Sequence, residues 1–126
     1  MKSRRVLLIE DNLMNMELAT DLLETAGFQV LKAERAEAGI ALAVAQQPDI
    51  ILMDMGLPGM DGMEATRRLK QDARTAWIPV VALTASAMRG DDDRAQSAGC
   101  CAYIAKPIDT RLFAKTVAAL MEEERT

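Results

Sequence analysis

Hydrophobic and polar positions along this chain alternate between two periods, and the alternation recurs five times. Val6-Leu7-Leu8-Ile9 is an unbroken apolar run, the pattern of a strand buried on both faces. Asn15, Leu18, Ala19, Leu22 and Leu23 then fall at i, i+3, i+4, i+7 and i+8, one stripe of a helix, and Gly27 follows as its stop. Phe28-Gln29-Val30-Leu31 is a shorter, more polar run suited to a sheet edge. Ala36, Gly39, Ile40, Ala43 and Val44 repeat the helical stripe. After Pro48-Asp49 comes Ile50-Ile51-Leu52-Met53-Asp54, an apolar run closed by a carboxylate. Asp61 and Glu64 have capping-box spacing, and predict a helix carrying Met63, Thr66 and Leu69.

Pro79-Val80-Val81-Ala82-Leu83-Thr84 is a fourth strand. Asp91-Asp92-Asp93 suits the positive end of a fourth helix, which Gly99 ends. Ala102-Tyr103-Ile104-Ala105 is a short fifth strand, and Leu112, Phe113, Thr116, Val117 and Leu120 stripe a fifth helix. Five β/α units in strict alternation imply an α/β fold, a doubly wound five-stranded parallel sheet with helices on both faces.

Composition narrows the function classes. A length of 126 residues fits one domain able to bury a core without staples. The 50% hydrophobic content excludes a disordered chain, and the 3% aromatic content leaves the packing to aliphatic residues and methionine. The net charge of −4, without a basic run, argues against nucleic acid as a direct partner. Lys2-Ser3-Arg4-Arg5 leads into only four apolar residues, too few for a signal peptide, and no apolar stretch is long enough to cross a bilayer. A cytoplasmic protein with no membrane partner is expected. No linker, repeat or low-complexity segment interrupts residues 1–126, so a single domain without an output domain is expected.

Histidine is absent, which removes every imidazole ligand or base. Cys100 and Cys101 are adjacent; two thiols alone make no tetrahedral zinc site, and both are expected as small, semi-buried apolar residues.

The chemistry follows from what each strand delivers to the carboxyl edge of the sheet, where open α/β folds bind ligands. Strand one delivers Glu10-Asp11, strand three Asp54, strand four Thr84-Ala85 and strand five Lys106-Pro107. Two like charges at 4 Å repel by ~4 kcal/mol at intermediate dielectric, so three converging carboxylates call for a cation or a shared proton. Oxygen-only ligands point to a hard ion, Mg²⁺ best. Carboxylate, divalent ion, lysine and hydroxyl together make a phosphoryl-transfer pocket in which Asp54 can be the nucleophile.

The chain resembles the receiver domain of two-component response regulators, from Arg5 to the end of the last helix. Glu10-Asp11, Asp54, Pro58-Gly59-Met60-Asp61-Gly62, Thr84-Ala85, Tyr103 and Lys106-Pro107 carry the resemblance, in order and on the right elements. The segments Glu10-Asp11-Asn12-Leu13-Met14-Asn15 and Leu83-Thr84-Ala85-Ser86-Ala87-Met88-Arg89-Gly90-Asp91 are similar to the subgroup of hybrid-kinase receivers and single-domain cell-division regulators.

The resemblance implies a flavodoxin-like (βα)5 topology with strand order 2-1-3-4-5. It implies that Asp54 is the phosphoacceptor, and that Glu10, Asp11, Asp54 and the Gly56 carbonyl hold Mg²⁺. Thr84 and Tyr103 would be a switch pair. Lys106, with the backbone at Met55 and Ala85, would contact the phosphoryl group, and the Lys106–Pro107 bond would be cis. The implied donor is a histidine kinase or histidine phosphotransfer protein. The implied reader is a downstream protein on the face of the fourth helix, fifth strand and fifth helix, so the role is regulatory rather than that of a turnover enzyme.

One departure is Gly56, where the family often carries a polar or larger residue; the lifetime of the acyl phosphate is expected to differ accordingly. Two rival readings are a constitutive scaffold and an aspartate-nucleophile phosphohydrolase. The second usually needs another acid where Gly56 stands. A flavodoxin-like cofactor binder is disfavoured because Glu10-Asp11 would repel a phosphate.

Overall fold

The computed structural model describes residues 4–57, 59–84 and 98–125. In chain order the elements are β1 (Arg5–Ile9), α1 (Leu13–Thr25), β2 (Gln29–Ala33), α2 (Ala36–Gln46), β3 (Ile50–Asp54), α3 (Gly62–Gln71), β4 (Val80–Thr84), β5 (Ala102–Ala105) and α4 (Phe113–Arg125). The helix predicted after Asp91-Asp92-Asp93 lies outside the described residues. All strands are parallel, in the order β2-β1-β3-β4-β5.

This order explains the apolar runs. The central β3 and β4 are buried at every residue, because helices cover both faces of the sheet. The edge strands β2 and β5 alternate or fray toward solvent. Helices α2 and α3 cover one face, packing Ala36, Ala43, Ala65 and Leu69 on Leu7, Ile9, Ile51 and Met53. Helices α1 and α4 cover the other, packing Met16, Leu23, Phe113 and Val117 on Val6, Leu8, Leu52 and Leu83.

Three details depart from the periodic reading. Helix α1 turns Met16, Ala19, Thr20 and Leu23 inward, leaving Leu18 exposed. Apolar residues surround this helix, so two overlapping stripes were available. The one containing the small Ala19 and Thr20 lets the helix approach the sheet. Helix α4 starts one residue late and buries Phe113, Val117 and Met121, with Leu112 exposed. Cys100 is buried in the core, but Cys101 is exposed, because consecutive residues beside a strand face opposite ways.

The amino edge of the sheet is fastened by side chains. The Arg5 guanidinium donates to the Gln46 and Gln47 carbonyls. The Gln47 amide donates to the Arg74 carbonyl at 3.0 Å, and the Trp77 indole N–H donates to Gln47 Oε1 at 3.0 Å. The loops before β3 and β4 are thereby tied together at the edge opposite Glu10 and Asp54.

Gly39 of α2 sits directly on Ile9; a Cβ there would lie 2.3 Å from Ile9 Cδ1. Alanine at this position gains about 1 kcal/mol of helix propensity, but overpacking costs about 1–3 kcal/mol. Gly39→Ala is therefore expected to lose about 1 kcal/mol in urea denaturation. Adding Ile9→Val, which removes Cδ1, should recover part of the loss. A gain in stability for Gly39→Ala alone would contradict the tight approach of α2.

Candidate functional site

Strand pairing places the acids. Ile9 pairs with Met53, so the next residues, Glu10 and Asp54, leave adjacent strands at the same edge. The Glu10 N–H donates to the Ala33 carbonyl, which fixes its backbone against β2. On the other side Ala105 pairs with Thr84, and the Lys106 N–H donates to the Thr84 carbonyl at 2.8 Å. Lys106 thus leaves the sheet at the edge where Glu10 and Asp54 lie. The Lys106–Pro107 peptide is cis.

These side chains meet. Lys106 Nζ lies 3.1 Å from both Glu10 carboxylate oxygens and 3.2 Å from Asp54 Oδ1. Asp54 Oδ1 also accepts the Gly56 N–H at 2.9 Å. Carboxylate oxygens of Glu10, Asp11 and Asp54 all lie within 4.8 Å of one another. Glu10 is 1% exposed and Asp54 6%, whereas Asp11 is exposed at the mouth.

Burial and crowding set the protonation states. Burial, reinforced by a hydrogen bond with Asp54, pushes the Glu10 carboxyl up to about 7. Burial also opposes ionisation of Asp54. There the hydrogen bonds from Glu10 and the Gly56 N–H, with the Lys106 charge, outweigh it and hold the carboxyl below its usual range. Burial disfavours the Lys106 ammonium, but Glu10 and Asp54 raise its pKa overall. Asp54 is thus the ionised partner and Glu10 the one that still holds a proton near neutrality.

One ammonium faces three carboxylates. The donor set is all oxygen, two groups are buried and one stands at the mouth, and burial makes Glu10 reluctant to ionise. This combination fits a hard divalent cation that retains water, such as Mg²⁺.

The loop after β3 is shaped by glycine. A Cβ on Gly62, the first residue of α3, would lie 2.6 Å from the Asp54 carbonyl oxygen and 2.9 Å from Met55 Cα. Helix α3 therefore rests directly on the peptide that carries Asp54. Its N-cap is Asp61, whose side chain accepts the Glu64 N–H at 2.9 Å.

Thr84 is buried at the end of β4, and Tyr103 is 43% exposed on β5. Ala85 and Pro58 lie outside the described residues. The Met55 N–H donates to the Leu83 carbonyl at 3.0 Å, because the β3–β4 ladder runs one residue past Asp54. The backbone donor beside the carboxylate is Gly56, which the sequence reading missed as a donor. The Asp-x-Gly spacing held the signal, since an aspartate often accepts the N–H two residues on.

A parallel sheet of order 2-1-3-4-5, with a buried aspartate, an acidic pair, a threonine and a lysine at its carboxyl edge, defines a receiver-type signalling domain. The chain belongs to the response regulator receiver domain family, whose model matches residues 6–118. It is 42% identical over 115 residues to the polar-differentiation response regulator DivK of Brucella ovis, covering 91% of this chain and 94% of that protein. The corresponding DivK of Brucella anthropi is also 42% identical, over 90% of this chain and 93% of its own.

Among solved structures, a response regulator from Chloroflexus aurantiacus superposes with a TM-score of 0.91 at 26% identity, covering 96% of this chain and 99% of that one. The receiver domain of the sensor histidine kinase PA1611 from Pseudomonas aeruginosa, with a magnesium ion coordinated in its active-site cleft, matches with a TM-score of 0.88 at 30% identity. It covers 96% of this chain and 99% of its own. The chain is therefore a two-component signalling domain with a regulatory role. Among the described residues, no helix is long and apolar enough to cross a membrane.

The raised Glu10 pKa has a stability consequence. Its folded value of about 7 exceeds the ordinary 4.5, so the folded state binds this proton more tightly than the unfolded chain does. The contribution is fully present below pH 4.5 and is lost as pH rises through about 7. In chelator-treated buffer, Glu10→Gln should remove this component of the pH slope. Parallel urea midpoints for wild type and Glu10→Gln from pH 4.5 to 8 would contradict the assignment.

Proposed function

We propose that this chain accepts a phosphoryl group on Asp54 from a phosphohistidine of a histidine kinase or histidine phosphotransfer protein. The observation that carries this reading is the state of Asp54: a buried carboxylate kept ionised between the Lys106 ammonium and the Gly56 N–H. A carboxylate oxygen of Asp54 forms the new P–O bond, and the P–N bond to the donor imidazole breaks with its electron pair returning to nitrogen. An ionised carboxylate needs no general base for this step, which agrees with the absence of histidine from the chain.

Glu10, Asp11, Asp54 and the Gly56 carbonyl would hold Mg²⁺, which when bound supplies positive charge beside the transferring oxygens. The Mg²⁺ in the related PA1611 receiver supports this reading. Lys106 neutralises a phosphoryl oxygen as a point charge. The Gly56 N–H offers a fixed donor at the same place. The Thr84 hydroxyl and the Tyr103 ring respond to the added oxygens. The changed face around β5 and α4, with the segment between β4 and β5, is read by a downstream protein. A cytoplasmic setting, with no direct nucleic-acid or membrane contact, suits such a relay.

Gly56 is exposed and leaves the space beside Asp54 open; a Cβ there would lie 3.6 Å from Asp54 Oδ1. Water can approach the acyl phosphate by this side. Gly56→Leu is expected to lengthen the lifetime of the phosphorylated form, and unchanged decay would contradict that route.

Asp54→Asn should abolish labelling by acetyl phosphate or by a phosphorylated histidine donor. Undiminished labelling of that variant would overturn the acceptor assignment. Mg²⁺ at roughly 100-fold excess over its Kd should stabilise the fold by about 2.7 kcal/mol. Because protons compete for Glu10, the gain should be smaller at pH 5.5 than at pH 8. A melting temperature indifferent to Mg²⁺ would count against the metal site.

A further inference from the structure

Three glycines follow Asp54 up to the first turn of α3, and they answer to different constraints. A Cβ on Gly56 would make only an ordinary contact, 3.6 Å from Asp54 Oδ1. Gly59 has open space around it and a φ of +73°, so its backbone conformation, not its surroundings, calls for glycine. Gly62 has the reverse constraint. A Cβ there would lie 2.6 Å from the Asp54 carbonyl oxygen and 2.9 Å from Met55 Cα, both inside the 3.0 Å that such atoms hardly ever cross. A third contact, 2.8 Å from Met55 Cε, involves the end of a flexible side chain that can swing aside. The two backbone contacts cannot be relieved in that way.

The peptide under Gly62 is held at both ends. The Met55 N–H donates to the Leu83 carbonyl at 3.0 Å, which fixes the peptide to β4. The Asp54 carbonyl at the other end meets Gly62. The helical turn behind Gly62 is fixed as well: the buried Thr66 hydroxyl donates to the Gly62 carbonyl at 2.7 Å, and Cys100 Sγ lies 3.8 Å from that hydroxyl. The Asp54–Met55 peptide leads directly to Gly56, whose N–H donates to Asp54 Oδ1 at 2.9 Å. A rotation of this peptide therefore re-aims both the carboxylate and its donor.

We propose that Gly62 is a positioning residue: its bare Cα lets the first turn of α3 seat on the Asp54–Met55 peptide, and that seat holds the Asp54 carboxylate and the Gly56 N–H at the angle phosphoryl transfer uses. The inference rests on the reading above, in which Asp54 is the acceptor. Alanine is the better helix residue, so a penalty at this position comes from the contact and not from the helix. With a Cβ present, α3 and the peptide must move apart until the gap exceeds 3.0 Å. A misplacement of about 1 Å can cost a reaction about 100-fold, so the smaller shift here is expected to cost about tenfold.

The test is the rate of labelling by acetyl phosphate at saturating Mg²⁺, beside the urea midpoint and the Gly56 amide resonance of each variant. Gly62→Ala is expected to label about tenfold more slowly and to shift the Gly56 amide. Adding Met55→Ala frees the methyl group but not the backbone, so the rate should stay low; recovery to the wild-type rate overturns the seat on the peptide. Gln47→Ala, at the amino edge, is the control for stability alone. It should lower the urea midpoint and keep the wild-type rate, and an equal loss of rate there overturns the inference. Thr66→Val carries the test should Gly62→Ala not fold. It releases the Gly62 carbonyl without adding bulk against the strand, and should shift the Gly56 amide and slow labelling, whereas Thr66→Ser keeps the hydroxyl and should match the wild type. A wild-type rate with an unmoved Gly56 amide, in Gly62→Ala or in Thr66→Val, overturns the inference alone. No labelling of the wild type overturns the acceptor reading and this inference together.

Discussion

A single ammonium between two buried carboxylates is the interaction on which the rest of this structure depends. Lys106 Nζ touches both oxygens of Glu10 and one of Asp54, and all three groups are largely removed from water. An unpaired buried charge costs several kcal/mol, so the ionised Asp54 depends on the lysine, while Glu10 answers the crowding by holding its proton. The lysine does not balance the site, however, because Asp11 brings a third carboxylate to the same few ångströms. The residual negative charge suits the site to a cation. The uneven sharing of the lysine, the Gly56 N–H and the proton makes Asp54 the ionised group and Glu10 the reluctant one.

The fold exists to hold those groups at that spacing. Parallel pairing sets Glu10 beside Asp54 without any side-chain contact being needed, because register alone carries both to the same edge. Helix α3 rests its first residue, Gly62, on the Asp54 carbonyl, so the start of the helix is set against the peptide that carries Asp54. At the opposite edge, Gln47, Trp77 and Arg5 tie the loops together. The carboxyl edge is thereby left to chemistry and the amino edge to cohesion.

Much of this was legible in the sequence, for physical reasons that differ from residue to residue. Strands β1, β3 and β4 were plain because burial on both faces demands continuous apolar runs. The candidate site was legible because a parallel sheet puts every strand end on one edge, so Glu10, Asp54, Thr84 and Lys106 could be gathered without coordinates. The inward face of α1 was not, since Leu13, Met14, Leu18 and Leu22 blur its stripe; three of these four are substantially exposed. The continuation of the β3–β4 ladder to the Met55 N–H was not legible, because nothing in the residue types says how far a ladder runs past the last strand residue.

The central claim is that Asp54 itself receives the phosphoryl group. The direct measurement is chemical trapping: the protein is incubated with Mg²⁺ and a phosphohistidine donor, reduced with borohydride, digested and mapped by mass spectrometry. An aspartyl phosphate is reduced by borohydride to the alcohol, so the account predicts homoserine at position 54 and at no other acid. Homoserine at Asp11, the longer alcohol 5-hydroxynorvaline at Glu10, or an unmodified Asp54 in a fully labelled protein, would contradict it.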